Sequence, residues 1–193
     1  MNSSTWKIIS CRETIFYRGD AMSRELLVVR HAKSDWNQVG ASDFDRPLKK
    51  RGIGDAEKMG QFLTEKELIP DTIIASTARR AMETARIMSK VMGLSARDIN
   101  YDPSLYLCQP HTFINVLENV SSLSKRAMIV GHNPSMDYMV QWLSQKEVQL
   151  RADGKLMTTT SVAHFKMPDI WCPLQAHVGE LCNLWRPKEL PLK

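Results

Sequence analysis

Residues 26–37 read LLVVRHAKSDWN, and this stretch decides the fold class of the chain. Its first four residues are apolar and two of them are β-branched, which is typical of a strand buried on both faces of a parallel sheet. The strand ends at Arg30 and His31, so both are predicted at the carboxyl edge of the sheet, where open α/β sheets bind ligands. A neutral imidazole there can act as a nucleophile, and an arginine beside it can bind a phosphate through two hydrogen bonds.

Two later apolar stretches, residues 72–75 and 127–130, are predicted to form strands that also end in groups suited to phosphate. Arg79 and Arg80 follow the first of them, and His132 follows the second. Because the carboxyl ends of parallel strands lie at one edge of a sheet, these side chains are expected to converge on the Arg-His pair of the first strand. Arginines fixed around one point form an anion site and oppose the charge that develops on a transferring phosphoryl group.

Strands and helices are predicted to alternate along the chain. The expected helices lie at about residues 52–67, 78–92, 111–120 and 134–143, and further strands at 159–165 and 179–185. Ser76 and Thr77 are expected to cap the second helix, and residues 100–103 to form a loop. This alternation predicts an α/β fold, a three-layer sandwich with a mostly parallel central sheet flanked by helices.

Length and composition limit the classes of protein to consider. The chain has 193 residues, which suits one domain with a sizeable core, and its net charge of +5 is modest. No apolar run approaches the length of a membrane span, and no run of lysines and arginines is long enough to indicate nucleic acid binding. The four cysteines lack the spacing of a zinc site and, without a secretory signal, are expected as free thiols in the cytoplasm.

Residues 1–22 are expected to be an N-terminal extension that precedes a single domain over residues 23–193. They contain no long apolar segment of the kind found in signal peptides, and no periodicity that requires a partner. Met22 stands just before the first strand, and we expect it to be the true start of the protein. A chain that begins at Met22 is therefore expected to fold and to work like the longer one.

Four motifs, in order, resemble those of the histidine phosphatase superfamily, whose fold is also called phosphoglycerate mutase-like. The sequence RHAKSDWN at residues 30–37 is similar to the family signature R-H-G-x-S-x-x-N. The other three motifs are STARRAMETA at residues 76–85, VGHNP at 130–134, and DFDRPL at 43–48 followed by Gly52. The match spans about residues 25–165. The short chain, the R-H-A variant and the R-P-L element look most like the bacterial phosphohistidine phosphatase branch.

The resemblance implies a role for the residues that match the motifs. It implies that His31 attacks phosphorus and becomes transiently phosphorylated. Arg30 and Arg80 are implied to hold the phosphoryl oxygens, and His132 to complete the pocket and stabilise the transition state. The S-x-x-x-R register selects Arg80 over its neighbour Arg79, which is expected on a solvated helix face.

Three more residues are expected to bind substrate: Asn37, Ser34 and Asn133. The chain also departs from the family pattern at the general acid. Mutases and many phosphatases of the superfamily place a glutamate after the second helix, but residues 105–108 read LYLC and contain no carboxylate. The acid phosphatase branch instead uses an aspartate after the second histidine, and that position is Asn133 in this chain.

The missing acid bears on the leaving group. An alkoxide is strongly basic and needs protonation as it departs, whereas a protonated imidazole leaves as a neutral group without that help. The absence of this acid therefore favours a phosphoramidate such as phosphohistidine over sugar phosphates. Three carboxylates remain candidates for an acid that would reverse this argument: Glu83, Asp35 and Asp102.

The sequence thus predicts a metal-independent hydrolase, a phosphohistidine phosphatase. Its expected partner is a phosphorylated protein, with a histidine-containing phosphotransfer domain among the candidates, or a small phosphorylated substrate. No cofactor, metal, nucleic acid or membrane partner is expected, and no acidic cluster suits a metal. A small-molecule phosphatase of the same superfamily and a non-catalytic module that docks phosphoproteins remain alternatives. The missing glutamate and the short chain disfavour a phosphoglycerate mutase.

Overall fold

Six strands and four α-helices make up the part of the chain that the computed structural model describes, residues 24–36, 40 and 42–191. The strands are β1 (Arg24–Arg30), β2 (Thr72–Ser76), β3 (Ile99–Asp102), β4 (Arg126–Gly131), β5 (Val162–Met167) and β6 (Glu180–Trp185). The helices are α1 (Lys50–Glu65), α2 (Arg79–Val91), α3 (Pro110–Glu118) and α4 (Ser135–Leu143). Two short 3-10 helices, Ala96–Asp98 and Pro103–Leu105, flank β3.

All six strands form one sheet in the order β3-β2-β4-β1-β5-β6. The first four run parallel to one another, while β5 is antiparallel to β1 and β6 is antiparallel to β5. Helices α1 and α2 pack on one face of the sheet, and α3 and α4 pack on the other. The predicted α/β fold, a three-layer sandwich around a mostly parallel sheet, is confirmed.

The central strand β1 is buried on both faces, as its unbroken apolar pattern predicts. Successive side chains of a strand point to opposite faces of the sheet. Leu26 and Val28 therefore join the core beneath α3 and α4, while Leu27 and Val29 join the core beneath α1 and α2. All four are fully buried. Burial of this kind contributes roughly 1.5–3 kcal/mol for each side chain, so a shift of β1 within the sheet would cost much of the stability.

Two local predictions are wrong. Residues 100–103 are predicted as a loop, but Ile99–Asp102 form the edge strand β3, because their backbone pairs with β2 although the stretch has little apolar pattern. Ser76 and its neighbour are predicted to cap α2, but Ala78 occupies the N-cap position and no side chain caps the helix. Ser76 instead ends β2, and its hydroxyl lies 2.8 Å from Nε2 of His132.

Other expectations concern the N-terminus and the cysteines. Residues 1–22 lie outside the described residues, so the domain division and the start at Met22 stay predictions. Among the described cysteines, Cys108 and Cys182 are free, but Cys172 is disulfide-bonded, so the expectation of free thiols is wrong at that position. Within the described ranges, no helix is long and apolar enough to cross a membrane.

Gly52 allows the start of α1 to approach the loop that follows β1. The amide of Lys49 donates a hydrogen bond to the carbonyl oxygen of Lys33 at 2.8 Å. A Cβ added at Gly52 would lie 2.3 Å from that same oxygen, well inside van der Waals contact. Any larger residue at this position therefore has to displace backbone that lies only two residues from His31.

We expect Gly52→Ala to destabilise the fold, although alanine is favoured over glycine within helices by about 1 kcal/mol. Relieving the contact by a backbone shift costs roughly 1–3 kcal/mol. Gly54→Ala is the matched control, because Gly54 is exposed on the same helix and an added Cβ meets nothing within 4 Å. Urea denaturation measures both free energies of unfolding. A Gly52→Ala chain as stable as the Gly54→Ala chain would contradict this packing.

Candidate active site

The residues predicted to perform the chemistry line one cavity of about 260 Å³: Arg30, His31, Arg80 and His132. Arg30 is the last residue of β1, and His31 follows it. Arg80 lies in the first turn of α2, just after β2, and His132 follows β4. Because β1, β4 and β2 are neighbours in the sheet, their carboxyl ends bring these side chains together at one edge.

The His31 ring is a neutral imidazole with one nitrogen available. Its Nδ1 lies 2.8 Å from the carbonyl oxygen of Ala32 and donates its proton there, because a carbonyl only accepts. Nε2 therefore carries a lone pair, which accepts a hydrogen bond from Nε of Arg80 at 3.3 Å. Burial lowers the pKa of His31 well below 6.5, and the neighbouring His132 lowers it further. The hydrogen bond to the Ala32 carbonyl opposes this shift, while the charges of Arg80 and Arg30 add to it. At neutral pH this lone pair is available for attack on phosphorus.

The His132 ring lies beside that of His31, with ring centres 4.9 Å apart. Its Nε2 lies 2.8 Å from Oγ of Ser76. Because this Oγ accepts from the amide of Ala78 at 3.3 Å, its own proton is available for Nε2, and the ring proton is then assigned to Nδ1. Nδ1 is buried and has no hydrogen-bond partner among the described residues. Burial, together with the charge of Arg80, lowers the pKa of His132 to about 3. The ring can thus donate a hydrogen bond as a neutral group.

Arg30 and Arg80 bring positive charge to the cavity from two different elements. Nη1 of Arg30 donates to the carbonyl oxygen of Met157 at 2.6 Å, and its Nε is buried without a partner among the described residues. The Arg80 side chain is 4% exposed. Oγ1 of Thr84 donates to the Arg80 carbonyl oxygen at 2.6 Å and accepts from the amide of Ala32 at 2.9 Å, which ties α2 to the loop after β1. No group of three or more possible metal ligands is found in the described part of the chain.

The other residues predicted from the sequence lie in different surroundings. Ser34 and Asn133 line the cavity, but Oγ of Ser34 accepts from Nη1 of Arg46 at 2.8 Å, and Nδ2 of Asn133 donates to a backbone carbonyl at 3.3 Å. Asn37 lies outside the described residues, so its part in substrate binding stays a prediction. Arg79 is half exposed and pairs with a glutamate one turn along α2. The geometry therefore favours the Arg80 register for the phosphate ligand.

Sequence reasoning assigns no role to three residues at the site: Asp43, Arg46 and Tyr106. Oδ1 of Asp43 accepts from Nε and Nη2 of Arg46, at 3.0 and 2.7 Å. Oδ2 accepts from Nη2 of Arg80 at 3.1 Å and from the Tyr106 hydroxyl at 2.9 Å. The DFDRPL motif contains the aspartate and Arg46 and is the signal that could have found them. Tyr106 has no such signal, because it lies in the LYLC segment outside all four motifs.

None of the three carboxylates considered as alternative acids lines the cavity, as far as the described residues show. Glu83 accepts hydrogen bonds from a backbone amide and an arginine, Asp35 pairs with Lys49 at 3.2 Å, and Asp102 accepts from a backbone amide. Asp43 does line it. Burial raises the pKa of the Asp43 carboxyl, but a tyrosine hydrogen bond and two arginine charges outweigh burial and leave the pKa lowered from 3.8. Asp43 is therefore a carboxylate at neutral pH and a poor proton donor.

Known proteins that resemble this chain support the same interpretation. A family model described as the histidine phosphatase superfamily (branch 1) matches residues 26–106. Over this stretch, which runs from β1 past β3, the chain matches the histidine phosphatase superfamily. An uncharacterized chloroplastic protein of Arabidopsis thaliana is 31% identical over 139 residues, which covers 68% of this chain. The same match covers 64% of the plant protein, so the chain spans slightly less than two thirds of that relative.

Solved structures share the fold at low sequence identity. The protein histidine phosphatase SixA complexed with tungstate matches with a TM-score of 0.73 and 19% identity, over 86% of this chain and 99% of that one. The phosphoserine phosphatase of Entamoeba histolytica in complex with 3-phosphoglyceric acid matches with a TM-score of 0.56 and 15% identity, over 83% and 96% of the two chains. At these identities the likeness establishes the shared fold, and the chemistry has to be argued from the site itself.

We expect Arg80→Ala to lower kcat/KM far more than Arg79→Ala. A buried guanidinium beside the nucleophile stabilises the transferring phosphoryl group by about 2–4 kcal/mol, which corresponds to roughly 30- to 1,000-fold. Arg79 is its matched control, because it is the adjacent arginine on the same helix and points away into an exposed ion pair. Steady-state kinetics on an aryl phosphate measures both variants. Equal losses in the two would show that the register is wrong.

Proposed function

We propose that the protein is a phosphatase that transfers a phosphoryl group first to His31 and then to water, and that it prefers phosphohistidine and other phosphoramidates. One observation carries the proposal. A neutral imidazole with an available Nε2 shares a cavity with three arginines and a second buried imidazole. The match to the histidine phosphatase superfamily supports the same class of reaction, a metal-independent hydrolysis of phosphorylated compounds.

In the first step, the Nε2 lone pair of His31 attacks phosphorus. A bond forms between this nitrogen and phosphorus, and the bond from phosphorus to the substrate nitrogen breaks, with its electron pair going to the leaving imidazole. Nε of Arg80 already points to Nε2, and the buried donors Arg30 Nε and His132 Nδ1 suit the phosphoryl oxygens. Donors fixed in a water-poor site stabilise the transition state without reorganisation. His31 keeps its Nδ1 proton, and the Ala32 carbonyl oxygen faces the positive charge that the ring acquires.

In the second step, water attacks the phosphorus of phosphorylated His31. The bond from phosphorus to Nε2 breaks and its electron pair returns to the ring, while the water proton passes to a phosphate oxygen. The products are inorganic phosphate and neutral His31, in the same tautomer as at the start. The same arginines serve both steps, because the charge on the phosphoryl group is similar in each.

The surroundings of the leaving group favour a substrate that needs no strong acid. Asp43 lines the cavity but is ionised at neutral pH, and Asn133 cannot donate as a carboxylic acid does. A phosphorylated imidazole that is protonated on its other ring nitrogen departs as a neutral molecule. The site is therefore better suited to phosphohistidine than to alkyl esters of phosphate.

Exposed apolar side chains around the cavity support a phosphorylated protein as the substrate. Trp36 and Leu107 line the cavity and are 68% and 63% exposed, and Phe44 is exposed beside Asp43. A protein partner would bury these apolar side chains favourably, and exposed apolar patches rimmed by polar residues mark interaction sites. A phosphohistidine on a protein surface, such as that of a phosphotransfer domain, would satisfy both features. The predicted cytoplasmic location stays a prediction, and the disulfide at Cys172 does not favour it.

We expect kcat/KM to depend steeply on the leaving group. Phosphohistidine, phosphoramidate and aryl phosphates should be cleaved faster than alkyl esters such as phosphoglycerate by roughly two to four decades, at about 1.4 kcal/mol of barrier per decade. His31→Asn serves as the control for enzyme-catalysed turnover. A flat dependence would instead indicate a small-molecule phosphatase with an acid that the site does not reveal. Binding of phosphoproteins without turnover of any substrate would indicate a docking module.

A further inference from the structure

The Asp43 carboxylate lines a pocket that otherwise suits an anion, its side chain is 43% exposed, and the proposed chemistry gives it no role. It accepts two hydrogen bonds from Arg46, one from Arg80 and one from Tyr106. A negative charge at this point weakens the attraction of the pocket for phosphate. The contacts of Asp43 indicate a role that offsets this weaker attraction for phosphate.

The contacts of Asp43 fix the direction in which the Arg80 guanidinium points. Nη1 of Arg80 donates to the Asp43 carbonyl oxygen at 2.5 Å, and Nη2 donates to its Oδ2 at 3.1 Å. A guanidinium is a rigid planar fork, so two fixed nitrogens determine where the third one lies. That third nitrogen is Nε, which donates to Nε2 of His31 at 3.3 Å. Nε of Arg80 is thereby directed at Nε2 of His31, the atom that would attack phosphorus.

Asp43 also connects Arg80 to a second, well-anchored arginine. Arg46 is buried, donates to Oγ of Ser34 at 2.8 Å, and lies with its guanidinium carbon 3.5 Å from the centre of the Trp36 ring. One carboxylate oxygen binds Arg46 and the other binds Arg80, so the carboxylate offsets the repulsion between two like charges. Through the Asp43 carboxylate, the position of Arg80 is tied to Arg46, a buried residue outside α2.

We propose that Asp43 is a positioning residue, which holds Arg80 with its Nε edge toward the phosphoryl group on His31. The inference rests on the proposed function, because it assumes that His31 receives a phosphoryl group. A carboxylate that merely filled the pocket until phosphate displaced it would have to break its contacts with Arg46 and Tyr106 as well as those with Arg80. Since Asp43 also holds Arg80 through its backbone carbonyl oxygen, the structure favours positioning over competition.

Asp43→Asn separates the two roles, because it removes the charge and keeps the shape. Under the positioning role we expect kcat on an aryl phosphate to fall at least tenfold. The inhibition constant of inorganic phosphate should stay within threefold or decrease, because the anion loses a repulsive neighbour. Vanadate, which mimics the transition state, should bind at least tenfold more weakly. An unchanged kcat with tighter phosphate binding would overturn the proposal in favour of competition.

Matched variants exclude a general loss of structure. Asp45→Asn is the control, because Asp45 is exposed in the same motif and its side chain bonds to Ser42. It should behave like the wild type.

Tyr106→Phe removes one hydrogen bond to Asp43 without changing its charge, and we expect a smaller loss of kcat, about threefold, at unchanged phosphate inhibition. If the Asp43→Asn chain does not fold, the Arg46→Lys chain is tested in its place. Lysine keeps the charge but cannot donate hydrogen bonds to Oδ1 of Asp43 from two nitrogens. An Arg46→Lys chain with wild-type kcat and vanadate affinity would overturn the proposal.

Vanadate binding measured by calorimetry distinguishes this inference from the proposed function. If the wild type binds vanadate but hydrolyses nothing, the phosphatase proposal fails, and the vanadate affinities of the Asp43→Asn and Asp45→Asn chains still decide the positioning role. If the wild type hydrolyses and Asp43→Asn matches it in kcat and vanadate affinity, only the positioning role fails. A wild type that neither hydrolyses nor binds vanadate overturns both.

Discussion

The site depends on the parallel pairing of β1 with β4. Arg30 pairs with Gly131, and the amide of His31 donates to the Gly131 carbonyl oxygen at 2.9 Å. This register sets the histidines that follow the two strands side by side, with ring centres 4.9 Å apart. A shift of one residue would turn every side chain of β1 to the opposite face, and the full burial of residues 26–29 opposes such a shift. Hydrophobic packing within the sheet thus determines the separation of the two imidazoles.

Burial and arginine charge act in the same direction on both histidines. Each disfavours the imidazolium, and the pKa values of His31 and His132 are lowered accordingly. A bound phosphoryl group brings negative charge to the same arginines and reverses their effect, so the positive charge that His31 acquires on attack is formed beside an anion. The resting site therefore keeps the nucleophile unprotonated, and the bound substrate offsets the part of the pKa lowering that the arginine charges cause. Such a change between resting state and transition state is what favours reaction over mere binding.

The sequence allowed the fold and the four central residues to be predicted because both follow from one-dimensional patterns. Apolar runs identify strands, and a residue directly after a parallel strand has little freedom in where it lies. The S-x-x-x-R register likewise distinguishes Arg80 from its neighbour Arg79. The rest depends on contacts between distant segments. The Asp43 carboxylate accepts a hydrogen bond from Tyr106, which lies 63 positions later in the sequence. The Ser76 hydroxyl contacts His132 and does not cap α2. Strand β3 forms by pairing with β2. No local pattern reports such pairings.

The central claim, a phosphoryl group carried on His31, is tested most directly by trapping the intermediate. The wild-type chain is mixed briefly with excess phosphoramidate, quenched in base to preserve phosphohistidine, and cleaved for mass spectrometry of its peptides. The account predicts one phosphoryl group, on His31, that appears before free phosphate accumulates and is absent from the His31→Asn chain. A phosphoryl group on any other residue, or rapid release of phosphate with no phosphorylated His31 at any time, would contradict it.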